Sequence, residues 1–275
     1  MLRSCALKKC ISQGVRCLDF EIYSVDNVPV VAVSSQNAFD VKETYNSVSF
    51  ANAMGIISEY AFSGSTCPNP GDPLLIHLRI MSSNKPIYDI MANALLNTLS
   101  RRLMGKKYSY ENNGQNLSQI PLRDIMGKVI IIVDKSNPLF SETLLNEYVN
   151  IASNSVFMRA LRFHDVKYTP DMQELIEFNK KNMTIVLPDL SISSKNPSSS
   201  LSINYGCQLV ALSFQSYDSS LEYYNEMFDT AGSAFVLKPI ELRYIPVTIP
   251  IPPPANPAYS YEKREVTADY YNFTI

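Results

Sequence analysis

Apolar residues recur along this chain in two periods. Short alternating or continuous runs predict strands at Arg16–Tyr23, Val28–Val33, Pro73–Met81 and Lys128–Val133. The last, KVIIIV, is almost unbroken, as expected of a strand buried on both faces. Helical spacings lie between them. Ser47–Phe62 places Phe50, Met54, Ile57 and Phe62 on one side. Ile87, Ile90, Met91, Ala94, Leu95 and Leu99 follow, with Asn84 and Pro86 as start signals and Gly105 as a stop. The second half repeats the alternation. It predicts helix over Leu144–Ala152, strand over Val156–Phe163, helix over Asp171–Asn182 and strand over Met183–Leu187. A Ser/Asn-rich loop over Ser191–Ser202 precedes strand Gln208–Phe214, helix Ser220–Thr230 and a last strand at Ala234–Lys238. Repeated βα units of this kind predict an α/β fold with a mostly parallel sheet or a TIM-barrel-like ring. About seven barrel strands are visible, and one of the expected eight is not.

From Ile245 the pattern breaks. IPVTIPIPPPANP carries prolines at 246, 250, 252, 253, 254 and 257, ahead of YSYEKREVTADYYNFTI. Proline cannot donate to a ladder, so 245–275 is expected to be an extended tail. It either packs along its own barrel or grips a protein partner. Pro250 with Pro253, and Pro254 with Pro257, fit the PxxP spacing for the second role.

Composition narrows the function. Hydrophobic residues make up 46% and charged residues 18%, which supplies a core and excludes disorder throughout. Lys+Arg is 24 against Asp+Glu 26, a balance with no global pull toward nucleic acid or an anionic bilayer. The cluster Arg101, Arg102, Lys106, Lys107 reads as a solvated helix end and leaves room only for weak peripheral lipid contact. Five cysteines without a CxxC predict free thiols in a reducing, cytoplasmic setting. The start MLRSCALKKC has no apolar core for a signal peptide, and no apolar run is long enough to span a bilayer. With 9 glycines and 2 histidines, neither Gly-rich phosphate loops nor a multi-histidine metal site is expected, and no cofactor is implied.

Several segments, in order, resemble the eukaryotic phosphoinositide-specific phospholipase C catalytic barrel. NYGCQLVALSFQ (Asn204–Gln215) is similar to the family's N-x-G-C-Q-x-V-A-L-N-F-Q. FVLKPIELR (Phe235–Arg243) resembles Y-V-L-K-P-x-x-L-R. GVRCLDFEIY (Gly14–Tyr23), SEYAF (Ser58–Phe62) and GKVIII (Gly127–Ile132) add weaker matches. The resemblance runs from Leu2 to about Arg243. It implies one barrel made of an X-like half over 1–135 and a Y-like half over 136–244, followed by the tail.

The family's chemistry does not follow with the fold. The resemblance implies two histidines as acid and base and a calcium ion that stabilises developing charge. The S-H-N-T-Y motif that carries the first histidine is absent, and its strand is expected to be missing. Val33 stands where the second histidine belongs. The metal-binding E-x-D pair is matched by Asp19 and Glu21, with side-chain lengths swapped. Arg79 replaces the third acidic ligand, so it is expected to pair with Asp19 or Glu21 and neutralise them. The family's phosphate-binding lysines fall on Ile132 and Asp134, with Lys135 one place late. Its Arg and Tyr of the L-S-R-I-Y-P stretch fall on Ile185 and Leu187.

The two histidines present match neither family position. His77 shares a strand face with Arg79, and His164 sits in RFHD at a strand end. Cys17 and Cys207 align with cysteines of the strand cores and read as packing residues. The expectation is a catalytically inactive barrel, with no catalytic, cofactor or metal residues, serving as a structural or protein-binding part of a larger assembly, conceivably a virus particle. Two alternatives stay open. One is a phosphodiesterase with a rebuilt site, using Asp19 and Glu21 for metal and His77 or His164 for proton transfer. The other is a module that binds phosphoinositide without cleaving it.

Overall fold

The computed structural model describes residues 4–191, 195–248, 250–254, 256 and 261–275. The chain divides into two compact units, Met1–Arg243 and Tyr244–Ile275. In the first, helix α1 (Ser4–Ser12) leads into strands β1 (Cys17–Val25) and β2 (Val28–Ala32), an antiparallel hairpin. Its turn is Asp26–Asn27, with φ of 51° and 61°. Short polar side chains tolerate that left-handed pair, which matches the twist of the flanking strands. Edge strand β3 (Val48–Ser49) runs into α2 (Phe50–Tyr60), whose Ser49 cap accepts from the Asn52 N–H. Strand β4 (Leu74–Ile80), helix α3 (Pro86–Leu99), the short turn α4 (Ser109–Gly114) and strand β5 (Val129–Asp134) follow. Next come β6 (Ile151–Ser153), β7 (Met158–Arg162), α5 (Phe163–Lys167), α6 (Met172–Lys181) and β8 (Met183–Leu187). Helix α7 (Ser199–Asn204), β9 (Leu209–Val210) and α8 (Ser219–Ala231) complete the unit.

Seven strands run parallel, in two sheets. The first has the order β3-β2-β1-β4-β5-β6, with β1, β4, β5 and β6 parallel; the second is β7-β8-β9. Among the described residues no ladder joins the two sheets, so the expected ring is not closed by backbone pairing. Two apolar clusters flank the strands. α2 and α3 pack Met54, Ile57, Met91 and Leu95 against Ile76, Leu78 and Ile131. The opposite strand faces gather Leu75, Ile130, Ile132, Ile151, Met158, Ile185 and Leu187. These are alternate residues of five parallel strands, the arrangement that fills a strand layer's interior.

Several elements differ from the sequence reading. Leu144–Ala152 is not a helix. A 3-10 turn covers Leu144–Tyr148, and Ile151–Ser153 is strand β6. Asn150 causes the switch: its backbone N–H donates to Ile131 O, and its Oδ1 accepts from Ile131 N at 2.9 Å, clipping the segment to β5. Ala234–Lys238 forms no strand; Val236 and Leu237 are exposed, and Pro239 offers no N–H to continue a ladder. Strand Gln208–Phe214 shrinks to Leu209–Val210 because Ser213 N turns away to Asn196 Oδ1. Helix Ser199–Asn204 begins inside the expected loop Ser191–Ser202, of which 192–194 lie outside the described residues. Ile90, grouped with the buried face of α3, is exposed.

The second unit is not extended throughout. Strands β10 (Glu265–Ala268) and β11 (Tyr271–Thr274) pair antiparallel. Val266 opposes Phe273 and Ala268 opposes Tyr271 on one face, with Glu265, Thr267, Asn272 and Thr274 on the other. That period of two is what makes a hairpin of a segment grouped with the prolines. Pro250, Pro253 and Pro254 have no regular secondary structure, and Pro257 lies outside the described residues. No helix of the described residues is long and apolar enough to cross a membrane.

Candidate functional site

The parallel register of β1 and β4 sets Asp19 beside His77 and Glu21 beside Arg79. Residues i and i+2 of a strand share a face, so all four side chains project into one space. Arg79 occupies its centre. Its Nε donates to Asp19 Oδ1 at 3.0 Å, its Nη2 to Asp19 Oδ2 at 2.6 Å and its Nη1 to Glu21 Oε1 at 2.6 Å. The remaining Glu21 oxygen accepts from Ser34 N at 3.0 Å and Tyr23 OH at 3.2 Å. His77 is fully enclosed, with Nδ1 2.7 Å from Asp19 Oδ1 and Nε2 2.9 Å from Ser153 Oγ.

The electrostatics follow from this packing. Burial alone would raise the Asp19 carboxyl, but the charge of Arg79 and hydrogen bonds from His77 and Arg79 outweigh it. Asp19 is held well below the usual carboxylate range. Burial would likewise weaken the Arg79 cation, and the two carboxylates overcome that too, raising it above its ordinary value. Arg162, at the end of β7, is the other cation of this neighbourhood. Its Nη1 donates to Pro188 O at 2.8 Å, and burial followed by the charge of Arg79 lowers its pKa.

These residues do not fit a calcium ion. A hard cation needs six to eight oxygens free to turn toward it. Here Arg79 holds three of the four Asp19 and Glu21 oxygens, and a backbone N–H and a phenol hold the fourth. Among the described residues no group of three or more His, Cys, Asp or Glu is arranged for a metal.

The other aligned positions lie apart from any ligand chemistry. Val33 is half exposed just beyond β2, with its backbone N–H on Thr44 Oγ1. Ile132 and Ile185 are fully buried and Leu187 nearly so, all in the apolar strand face. Asp134 accepts from Ser136 N and Asn154 Nδ2, while Lys135 pairs with Glu111 at 2.9 Å. His164 is exposed in the first turn of α5, its N–H on Asp189 Oδ1 and its ring 4.8 Å from that of Tyr168. It is not joined to the Asp19 cluster by any hydrogen bond between described residues. All five cysteines are free. Burial pushes the thiols of Cys17 and Cys207 up to about 12 and about 11, as befits packing residues.

Two members of the cluster escaped sequence reasoning. Ser153 directly follows the expected helix Leu144–Ala152, where no strand was foreseen. Arg162 had a usable signal: Met158, Ala160 and Arg162 alternate onto one face of β7, which ends in a charge.

Comparison with known proteins bears on the fold. Residues 141–241 match the family model "Phosphatidylinositol-specific phospholipase C, Y domain". The solved structure of L. pealei PLC21 is similar over 86% of this chain and 34% of its own, at 18% identity and a TM-score of 0.66. S. officinalis PLC21 is similar over the same shares, at 16% identity and a TM-score of 0.66. The chain therefore spans about a third of the length of these relatives, and at such identity the likeness carries the fold alone. Residues 141–241 thus carry the Y-domain match, and the chain as a whole shares the phospholipase-C-like phosphodiesterase fold.

Proposed function

We propose that this phospholipase-C-like chain does not hydrolyse phosphodiesters by the family's calcium route and serves as a structural or protein-binding component of a larger assembly. The observation that carries the reading is the Arg79 fork. A guanidinium takes up both carboxylates that the resemblance assigns to metal. Its charge does internally and permanently what a bound cation would do reversibly. Val33 in place of a proton carrier, and Ile132 and Ile185 in place of phosphate-binding cations, support the same conclusion. The proline-rich run with Pro250, Pro253, Pro254 and Pro257 is the segment we assign to a protein partner. A reducing compartment, the cytoplasm or the inside of a virus particle, suits its free cysteines.

The test is inositol phosphate release from phosphatidylinositol by purified full chain, with and without calcium. No turnover in either condition is expected. Calcium-dependent turnover abolished by Asp19→Ala would contradict the proposal. Flotation with anionic vesicles adds a second arm: co-flotation would favour a lipid-binding module over a protein-binding one.

A further inference from the structure

Residues 245–251 read IPVTIPI. Ile245, Val247, Ile249 and Ile251 alternate with Pro246, Thr248 and Pro250. Residues two apart share one face of an extended strand, so the β-branched side chains form a single apolar row. Ile245, Val247 and Ile251 are exposed. Ile249 lies outside the described residues and has its place in the row from the sequence alone. Every described residue from 244 to 254 is exposed, and none of them belongs to a helix or strand. Proline fixes its own φ at about −65° and biases the residue before it toward extended backbone. Pro246, Pro250 and Pro252 therefore predispose this run to strand geometry before it meets a partner.

The prolines also choose which edge can pair. Along a strand, the N–H and C=O groups of alternate residues point to opposite edges. Ile245, Val247, Ile249 and Ile251 share one edge and all have an N–H. Pro246, Pro250 and Pro252 share the other edge with Thr248 and have none to give. One edge is competent for a ladder, and the other is guarded against a further strand. The run is moreover nearly its own reverse, since IPVTIPI read backward is IPITVPI. Antiparallel pairing of two copies centred on Thr248 sets Ile245 opposite Ile251, Val247 opposite Ile249 and Pro246 opposite Pro250. The hydrogen-bonded positions are then all Ile or Val, and these prolines fall where the ladder needs no N–H. A slip of one residue would set Ile245 opposite Pro250 and lose that match. Pro253 is the first proline of the run at a hydrogen-bonding place, and it ends the ladder.

We propose that residues 244–252 pair antiparallel with the same residues of a second copy, so that the chain forms a twofold dimer through this segment. A twofold interface requires a self-complementary patch, and the near-palindrome supplies one. A two-stranded ribbon alone is marginal. The same unit offers it a second layer. Hairpin β10–β11 presents Val266, Ala268, Tyr271 and Phe273 on one face, and Tyr271 and Phe273 are exposed there. The dimer covers this face with the Ile and Val row of the paired strands. The inference rests on the reading of the proline-rich run as protein-binding and names its partner. It does not depend on the loss of calcium chemistry.

The test is sedimentation velocity of purified full chain over a concentration series. Reductant keeps the exposed Cys5 from cross-linking copies. A monomer–dimer equilibrium with a Kd of about 10–100 μM is expected. Val247→Pro removes an N–H from the ladder and should weaken association about tenfold or more. Thr248→Pro places the same residue one position on, where no N–H is needed, and should change the Kd by less than about threefold. Both positions are exposed and outside any helix or strand, so thermal melts of dilute parent and variants should coincide. A parent chain that stays monomeric at about 500 μM would overturn the proposal. So would a dimer whose Kd is the same in Val247→Pro as in the parent. Either result would leave the assignment of this run to a different protein standing, because only self-association is read.

Discussion

Arg79 grips Asp19 at two points, Nε on Oδ1 and Nη2 on Oδ2, and so ties β4 to β1 through side chains as well as through their ladder. Bidentate guanidinium–carboxylate contacts are among the stronger charge-assisted bonds. Removing the cation leaves two largely buried carboxylates without a counter-charge. Arg79→Ala is therefore expected to cost about 3–5 kcal/mol of stability, as breaking a buried pair does. The melting temperature should fall by roughly 10 °C for a chain of this size. Adding Asp19→Asn and Glu21→Gln to that variant should recover at least half the loss. Thermal melts of the three proteins check this, and no difference between parent and Arg79→Ala would mean the fork is ornamental.

Acid stability follows from the same pair. The folded Asp19 carboxyl lies below its unfolded value, so its contribution is present above about pH 4 and is lost as pH falls below that. Urea midpoints should owe no pH dependence to this group between about pH 7 and 5, then drop on further acidification. In Asp19→Asn the acid limb should be shallower. An identical limb in both proteins would place the acid-sensitive carboxylates elsewhere.

The apolar interior makes the opposite demand. Ile185 has no exposed surface and lies among Leu75, Ile130 and Ile132. Ile185→Arg places a cation there without a carboxylate to meet it, at a cost of more than about 3 kcal/mol. Chemical denaturation reads the loss. A tolerated arginine would show that this face is hydrated rather than packed.

What the sequence made legible was local. The hairpin β1–β2, α2, β4, α3 and β5 announce themselves by alternation, caps and turn residues within their own spans. The pairing of Arg79 with Asp19 or Glu21 was expected from the family resemblance, which puts the arginine at the third acidic position; the register that lets it reach both is set by the β1–β4 ladder. Elements decided by distant partners were not readable. Leu144, Leu145, Tyr148 and Val149 have helical spacing, yet Asn150 binds the backbone of Ile131 and turns the next residues into β6. Missing β6 meant missing Ser153 as well. Similarly, Phe235–Lys238 has strand composition, but β9 ends too early to pair with it.

One local feature went unread, although Asn112-Asn113-Gly114 is a run that favours positive φ. Tyr110, Glu111, Asn112 and Asn113 all have φ of 53–54°, followed by Gly114 at 72°. A left-handed turn costs L-residues roughly 1–2 kcal/mol each. Glu111 N on Val149 O and the Glu111–Lys135 ion pair help hold it. Tyr110 is half exposed, so Tyr110→Gly should stabilise the chain by about 0.5–1 kcal/mol in urea denaturation. A loss of stability would mean that the ring's contacts outweigh the strain.

The occupation of both carboxylates by Arg79 is the central claim, and calcium titration calorimetry of the full chain tests it most directly. The parent should give no saturable heat at millimolar calcium. Stoichiometric binding that disappears in Asp19→Asn would contradict the account, because it would show that the cation yields its place to a metal.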